Sequence, residues 1–521
     1  MHTPRHLRAL AHAALALLAC AAIVPPAAAQ AGTTRYIVAY KPGSAGAARA
    51  AVAAARGDVK LAIHGTDAIA AELPAQAVAA LARNPAVEYV EEDVKRYPMG
   101  GTSPTTGTPY AVGQLLPYGI AMVQADQLAG VSVASRKVCI IDSGYDRSHE
   151  DLSAGGNVTG EYDPGTGWWY TDENHHGTHV AGTVSALDNA GGVVGVNSNG
   201  TIKLHIVKVF GAEAWAYSST LAAAANRCRD AGANIISMSL GGSFSSRTEQ
   251  RTFDTLLSTN NILSIAAAGN GGNTRVSYPA GYGSVVSVAA IDEARQWATF
   301  SQYNKDVEIA GPGVNVLSTV PMGTGRASAL SVGAAAYAPG GMDGSPIASV
   351  GAPLADFGLG GSAVAGSMNG KVCLIQRGTY DFATKVSNCQ VSGGVGAVIY
   401  NNVAGSFGGT LGGTVTAIPS VTASDTEGAA MRGQFGQTAT VSVTASNYAF
   451  FDGTSMATPH VSAVAALVWA MRPECTASQL RSSLNLSALD LGPAGRDNKF
   501  GYGLVQAKAA VDRIAARGCG R

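Results

Sequence analysis

The sequence predicts an α/β protein: a mainly parallel central sheet flanked by helices, preceded by a small α/β unit and interrupted by a β-rich insertion. Three observations lead there. Apolar runs at residues 137–141, 202–209, 234–239, 262–268 and 285–290 alternate with helix-like stretches, the pattern of parallel strands buried on both faces. Between about 326 and 446 the texture changes to Gly- and Ser-rich short strands, and a helical pattern resumes at Met456. The 521 residues suffice for two or three domains with their own cores. Gly contributes 65 of them without a G-X-Y period, and 46% are hydrophobic, so neither a collagen-like nor a disordered chain fits. Lys plus Arg and Asp plus Glu are both 35, so no net field draws the chain to nucleic acid or to an anionic membrane surface.

Taken in order, Arg5 and Arg8 precede an apolar stretch over 9–24, then Pro25, Pro26 and Ala27-Ala28-Ala29-Gln30. This reads as a secretory signal over 1–29 cut after Ala29, so the chain is expected outside the cytoplasm, extracellular or periplasmic. Leu17-Leu18-Ala19-Cys20 also resembles a lipoprotein box, and only a lipid on Cys20 would tether the chain to a membrane. Residues 30–97 read as strand (36–40), Ala-rich helix, strand, second helix (74–83) and strand (87–90). They end in Glu91-Glu92-Asp93. A Gly/Thr/Pro-rich linker, 98–113, follows, of the exposed composition that proteases cut. The main body is then 114–325 and 447–521, with 326–446 inserted. The six cysteines after Cys20 favour disulfides in an exported chain. Sequence neighbours suggest Cys373–Cys389 and Cys475–Cys519, leaving Cys139 and Cys228.

Three segments carry chemistry. Asp142-Ser143-Gly144 sits at the carboxyl end of the 137–141 strand, where active residues of such sheets lie; alone, Asp142 could simply cap a turn. Asn174-His175-His176-Gly177-Thr178-His179 opens a small-residue helix. His176 and His179 could share a zinc ion, but the glutamate of H-E-x-x-H and a third ligand are missing. Gly453-Thr454-Ser455-Met456-Ala457-Thr458-Pro459-His460 opens an apolar helix, for which Ser455 could be a mere N-cap. Together they are more specific: Ser becomes a nucleophile when a neutral His takes its proton, and a carboxylate must hold that His in the right tautomer.

On these residues, in the chain order Asp, His, Ser, the chain resembles the subtilisin-like serine peptidases over about 114–320 and 447–511. The resemblance implies a serine endopeptidase with a subtilisin-like fold. Ser455 would be the nucleophile, His176 the general base and Asp142 its orienting carboxylate, with His179 structural. His175 departs from the family's commoner small polar residue. Asn270, in Gly269-Asn270-Gly271, matches the side-chain donor of the oxyanion hole. Ser239, Leu240 and Gly241 match the edge on which an extended polypeptide substrate lies as an added strand. With Ala267, Ala268 and Gly269 they would wall the pocket before the scissile bond, and Tyr217 joins the substrate-binding set. Ser277 stands at the pocket base where Gly is common. That pocket lacks an acidic floor, so apolar or aromatic side chains are expected there rather than Lys or Arg.

The resemblance further implies Ca2+, held by the side chains of Gln114, Asp151 and Asn189 and the carbonyls of Leu187, Gly191 and Val193. Residues 36–93 resemble the family's inhibitor-type propeptides, so the chain's first partner would be its own propeptide. Maturation is expected between 97 and 113, with Tyr110–Ala111 one candidate bond and Gln114 near the mature N-terminus. The series from Gly370 to Val421 is similar to protease-associated (PA) domains, which gate substrate or bind protein. In this fold the helix after Tyr217 packs on the sheet, making Cys139–Cys228 feasible. The expected mature form is a monomer. Two rivals remain open: a degenerate scaffold that only binds, and a peptidase confined to itself or one dedicated substrate.

Overall fold

The computed structural model describes residues 33–103, 113–153 and 155–521. The expected signal, Cys20 and the Tyr110–Ala111 bond lie outside them. The body is built on seven strands, all parallel, in the order Ile309–Pro312, Val285–Ile291, Leu263–Ala267, Ile235–Met238, Lys137–Asp142, Lys203–Lys208, Val158–Gly160. The five long apolar runs are the five interior strands of this sheet, each with a neighbour on both sides. On one face lie the helices His176–Ser185, Thr454–Met471, Ala477–Ser487 and Ala507–Arg517; on the other, Ser218–Asp230 and Arg247–Ser258.

Thr454–Met471 is apolar almost all round and buried from Thr454 to Trp469, as a helix enclosed by a core must be. Pro459 lies inside it. Its missing N–H leaves the Ser455 carbonyl without a helical donor, and the Ser239 hydroxyl supplies one at 2.7 Å. A local cost thereby ties the helix start to the strand beside it.

Three disulfides are formed: Cys139–Cys228, Cys373–Cys389 and Cys475–Cys519. The first joins the strand bearing Asp142 to the helix Ser218–Asp230.

The N-terminal unit is an antiparallel sheet in the order Asp58–Ala62, Ala68–Pro74, Thr33–Tyr40, Val87–Glu92, backed by the helices Ala45–Ala54 and Ala75–Leu81. Two strands stand between the helices where the sequence suggested one. The break is a turn at His64-Gly65-Thr66, with Gly65 at φ +72°, a conformation that favours Gly. The other sheet face, through Ile37, Ala39, Ile63 and Ala68, packs on Ala222 and Ala223 of the body.

The insertion holds a mixed seven-stranded sheet and the helices Phe382–Val391 and Asp425–Arg432. Its strands are not uniformly short: Ala348–Asp356 and Thr438–Ser446 each span nine residues. Serines and threonines alternate with buried apolar residues there, as in a strand with one wet face. Gly325–Val332 pairs with Thr438–Ser446, Gly325 facing Ser446, so the block leaves and rejoins the body at one place. Directly beneath, Val316–Thr319 pairs with Tyr448–Asp452, the strand that feeds Ser455. Among the described residues no helix is long and apolar enough to cross a membrane.

Candidate active site

Parallel strands deliver the site. Lys137–Asp142 ends in Asp142, whose Oδ1 lies 2.8 Å from His176 Nδ1 and accepts from the Ser143 amide, also at 2.8 Å. Two glycines allow this approach. A Cβ on Gly177 would stand 2.3 Å from the Gly144 carbonyl, and one on Gly144, at φ +126°, 1.9 Å from that of Thr171. The histidine helix is also held by a residue the sequence reading missed. Buried Asp172 accepts from the amides of His175 and Thr178 and from the hydroxyls of Ser143 and Thr178. It stands outside the histidine motif, and nothing in its own sequence context marks an Asp that accepts from a neighbouring turn. His175, the departure from the family pattern, holds φ +72° just before the helix.

His179 is wholly buried. It stacks on Phe451 with centroids 4.3 Å apart, and its Nε2 lies near the carbonyls of Val316 and Ala449. Burial pushes it down to about 3, so it stays neutral.

The contact between Ser455 and His176 is not made. The Ser455 hydroxyl donates to the Ser239 carbonyl at 2.8 Å, and His176 Nε2 is buried without a hydrogen bond among the described residues. What lies over the site is the chain's own segment 95–100. Lys95–Pro98 forms a strand between two edges of the body, antiparallel to both: Ala216 faces Arg96 and Tyr217 faces Lys95, while Leu240 faces Pro98 and Gly241 faces Tyr97. The Met99 amide donates to the Ser239 carbonyl at 3.1 Å. The Met99 carbonyl accepts from Asn270 Nδ2 at 2.7 Å and from the Ser455 amide at 3.0 Å. These are the two donors expected of an oxyanion hole, on a peptide carbonyl beside Ser455.

Thr454 aims the Asn270 amide: its amide and hydroxyl both donate to Asn270 Oδ1, at 3.0 and 2.8 Å. Gly453 leaves room, since a Cβ there would lie 2.4 Å from the Met99 carbonyl oxygen.

Met99 points at the pocket predicted for the residue before the bond. A Cβ on Gly241 would meet Met99 Cε at 3.1 Å and Ser277 Oγ at 2.4 Å, so both groups press on the glycine wall. Ala267 and Ala268 are buried at the strand end. Gly269, at φ +110°, has no space for a Cβ beside Gln302. No ionisable group appears among these wall and base residues.

Past the bond, Gly101–Thr102 adds to the edge of Tyr448–Asp452, with Thr102 facing Phe451 and Gly101 facing Asp452. The acidic end of the N-terminal unit clamps the body from above. Glu91 accepts from the Arg247 and Thr248 amides and the Ser246 and Thr248 hydroxyls, at 2.6–3.0 Å. Asp93 accepts from the Ser219 amide and the Ser218 and Ser219 hydroxyls, at 2.6–3.0 Å. Two carboxylates thus sit on the N-termini of two body helices, where the dipole favours negative charge. In sequence they were only an acidic run.

The expected cation ligands gather at one place. Gln114–Leu115 pairs with Gly192–Val193. The Leu187 and Gly191 carbonyls converge on Gln114 Nε2, at 2.7 and 3.1 Å. Asp151 Oδ2 accepts from the Val193 amide at 2.8 Å, whereas its buried Oδ1 has no hydrogen bond among the described residues. Burial raises the Asp151 carboxyl to about 7. Asn189, exposed, accepts from the Gly191 amide. An orphaned buried carboxylate oxygen beside two converging carbonyls suits a hard cation once the Gln114 amide is turned to present its oxygen in place of Nε2.

A carboxylate–histidine pair, a serine at a helix start and a two-donor carbonyl site on a parallel α/β sheet define a serine peptidase fold and site. The chain belongs to the subtilase family: the family's model matches residues 134–349 and 395–503, and the PA domain model matches 334–431. It is a serine-type endopeptidase with an inserted PA domain. It is 39% identical over 239 residues to subtilisin DY of Bacillus licheniformis, covering 43% of this chain and 84% of that protein. It is 36% identical over 272 residues to subtilisin E of Bacillus subtilis, covering 50% of this chain and 65% of that one, so it spans just under two thirds of that relative's length. Among solved structures, the psychrophilic subtilisin-like protease Apa1 of an Antarctic Pseudoalteromonas superposes with a TM-score of 0.62 at 41% identity, over 78% of this chain and 99% of that one. Fervidolysin of Fervidobacterium pennivorans, at 22% identity and a TM-score of 0.59 over 92% of this chain and 61% of that one, shares the fold.

Proposed function

We propose that the chain is an exported, calcium-stabilised serine endopeptidase made as a zymogen, which cuts its own Met99–Gly100 bond and then hydrolyses extended polypeptides after apolar residues. The observation that carries this is the Met99 carbonyl, held by Asn270 and the Ser455 amide. Ser455 attacks that carbonyl after a side-chain rotation brings its hydroxyl from Ser239 to His176. His176 takes the proton, and Asp142 holds the imidazole. Negative charge then develops on an oxygen that already has both donors, and the helix start beneath Ser455 adds a favourable dipole.

Residues 33–99 act first as a tethered substrate and then as an inhibitor, anchored by Glu91 and Asp93. The bond in the site is thus not Tyr110–Ala111 but one nearer the folded unit, since the strand 95–98 has no slack to bring a later bond to Ser455. Further trimming toward Gln114 completes maturation. Calcium would be held by the carbonyls of Leu187, Gly191 and Val193, the carboxylate of Asp151 and the amide oxygens of Gln114 and Asn189; it would tie the new N-terminal segment to the loop. Three disulfides suit an oxidising compartment and so favour export. The PA domain stands over the leaving side of the cleft as a gate or protein-binding module.

Intact-mass and N-terminal analysis of wild type and Ser455→Ala tests this. Wild type should yield a chain beginning at Gly100 or later, while Ser455→Ala stays joined across Met99–Gly100. Processing of the Ser455→Ala chain at that bond, in isolation, would refute it.

A further inference from the structure

Counting back from the bound carbonyl, Arg96 is the fourth residue before the bond. Its neighbour Tyr97 is 46% exposed, whereas Arg96 is wholly buried. The partner of Arg96 is Glu249, wholly buried in the first turn of the helix Arg247–Ser258. The pairing is fork on fork: Arg96 Nε donates to Glu249 Oε1 at 3.0 Å and Nη2 to Oε2 at 2.6 Å. The third nitrogen, Nη1, donates to the Lys95 carbonyl at 3.1 Å.

The receptor side is built by the body itself. Tyr282 donates its hydroxyl to Glu249 Oε2 at 2.7 Å and accepts from the Ser246 amide at 2.8 Å, which fixes the carboxylate. Gly242 opens the wall, since a Cβ there would stand 2.4 Å from the Lys95 carbonyl and 3.0 Å from Arg96 Nη1. Burial works against the Arg96 charge, but the Glu249 carboxylate outweighs it and raises the guanidinium further.

Arg96 belongs to the segment that departs after cleavage, and Glu249 stays with the body. A buried carboxylate left with one neutral donor is costly until a cation returns. A guanidinium matches it in a way that the single ammonium of Lys cannot. We infer that Glu249 is a specificity-determining residue, making this endopeptidase a reader of Arg at the fourth position before the scissile bond. Its preferred substrates carry Arg-x-x-(apolar residue). This rests on the peptidase reading above, and it locates the enzyme's charge selectivity away from the pocket that holds Met99.

The test uses the mature wild-type enzyme and four quenched peptides of the frame X-Tyr-Pro-Met-Gly-Gly-Thr-Ser, X being Arg, citrulline, Lys or Ala. Citrulline keeps the shape of Arg and removes its charge. The expected kcat/KM for Arg exceeds that for citrulline by at least about 30-fold, the usual scale for breaking a buried charge pair. Lys should fall between them. In Glu249→Gln the Arg-to-citrulline ratio should fall to within about threefold of one. Equal rates on the Arg and citrulline peptides, or an unchanged ratio in Glu249→Gln, would overturn the inference while leaving the peptidase reading intact. Should the variant fail to mature, the wild-type series decides alone. If no peptide is cut and Ser455 takes no fluorophosphonate label, the peptidase reading itself has failed.

Discussion

The two halves of the substrate cleft recognise the chain by different means. Ahead of the bond, the segment is a strand between two body edges, with Arg96 in a charged pocket and Met99 in an apolar one. Beyond it, Gly100, Gly101 and Thr102 run along a single edge, Tyr448–Asp452, with no side chain of comparable size to read. Acyl transfer favours this asymmetry. The upstream half stays bound through the acyl-enzyme and can contribute selective contacts to both steps, while the downstream half must leave after the first. The downstream edge is also continuous with the base of the insertion.

This contrast can be broken in graded ways. The largest effect falls at the bond: Ser455→Ala should lower hydrolysis of a peptide substrate by at least about 10,000-fold, read as kcat. Asn270→Leu should lower kcat by about 100- to 1,000-fold with little change in KM, because the donor acts on charge that appears only in the transition state. On the leaving side, size should matter at one position only. A Cβ at Gly100 would meet Met456 Sδ at 2.8 Å and Ser455 Cβ at 3.0 Å, whereas one at Gly101 meets nothing within 4 Å. Gly100→Val should therefore slow self-processing by about tenfold or more, while Gly101→Ala stays within about twofold of wild type, as followed by gel densitometry.

The smallest effect lies away from the cleft. Calcium removal by EDTA should lower the Tm of the mature enzyme and speed autolysis, more so at pH 8 than at pH 5. The sign follows from Asp151, whose folded pKa is raised by burial from 3.8 to about 7. Without calcium its contribution is fully present below about pH 4 and is lost as pH rises through about 7, where the buried oxygen carries uncompensated charge. A calcium shift in Tm that does not grow with pH would count against Asp151 as a ligand.

Much of the body was legible because its signals are local. Apolar runs marked the five interior strands of the body sheet, and Asp142, His176, Asn270 and Ser455 each sit in a contiguous motif at a strand end or helix start. The Met99–Gly100 bond was not legible: a Gly/Thr/Pro-rich linker shows where a chain can be cut, not which carbonyl reaches two donors. Asp172 was missed because its role is to accept from amides and hydroxyls of a neighbouring turn. The Arg96–Glu249 pair was missed because 153 residues separate its members.

Local chemistry, then, was carried by the sequence itself: the candidate nucleophile, base and hole donor and the fold class require only short motifs and periodicity. Tertiary structure decided which peptide bond lies over Ser455 and which side chain enters the charged pocket. The reason is strand register. A shift of one residue along Leu240–Gly241 would turn Arg96 outward and Tyr97 inward and move the bound carbonyl off its donors. That register is held by Glu91 and Asp93 on two helix starts and by the packing of Ile37 and Ala39 on Ala222 and Ala223, contacts that exist only once the N-terminal unit has folded onto the body.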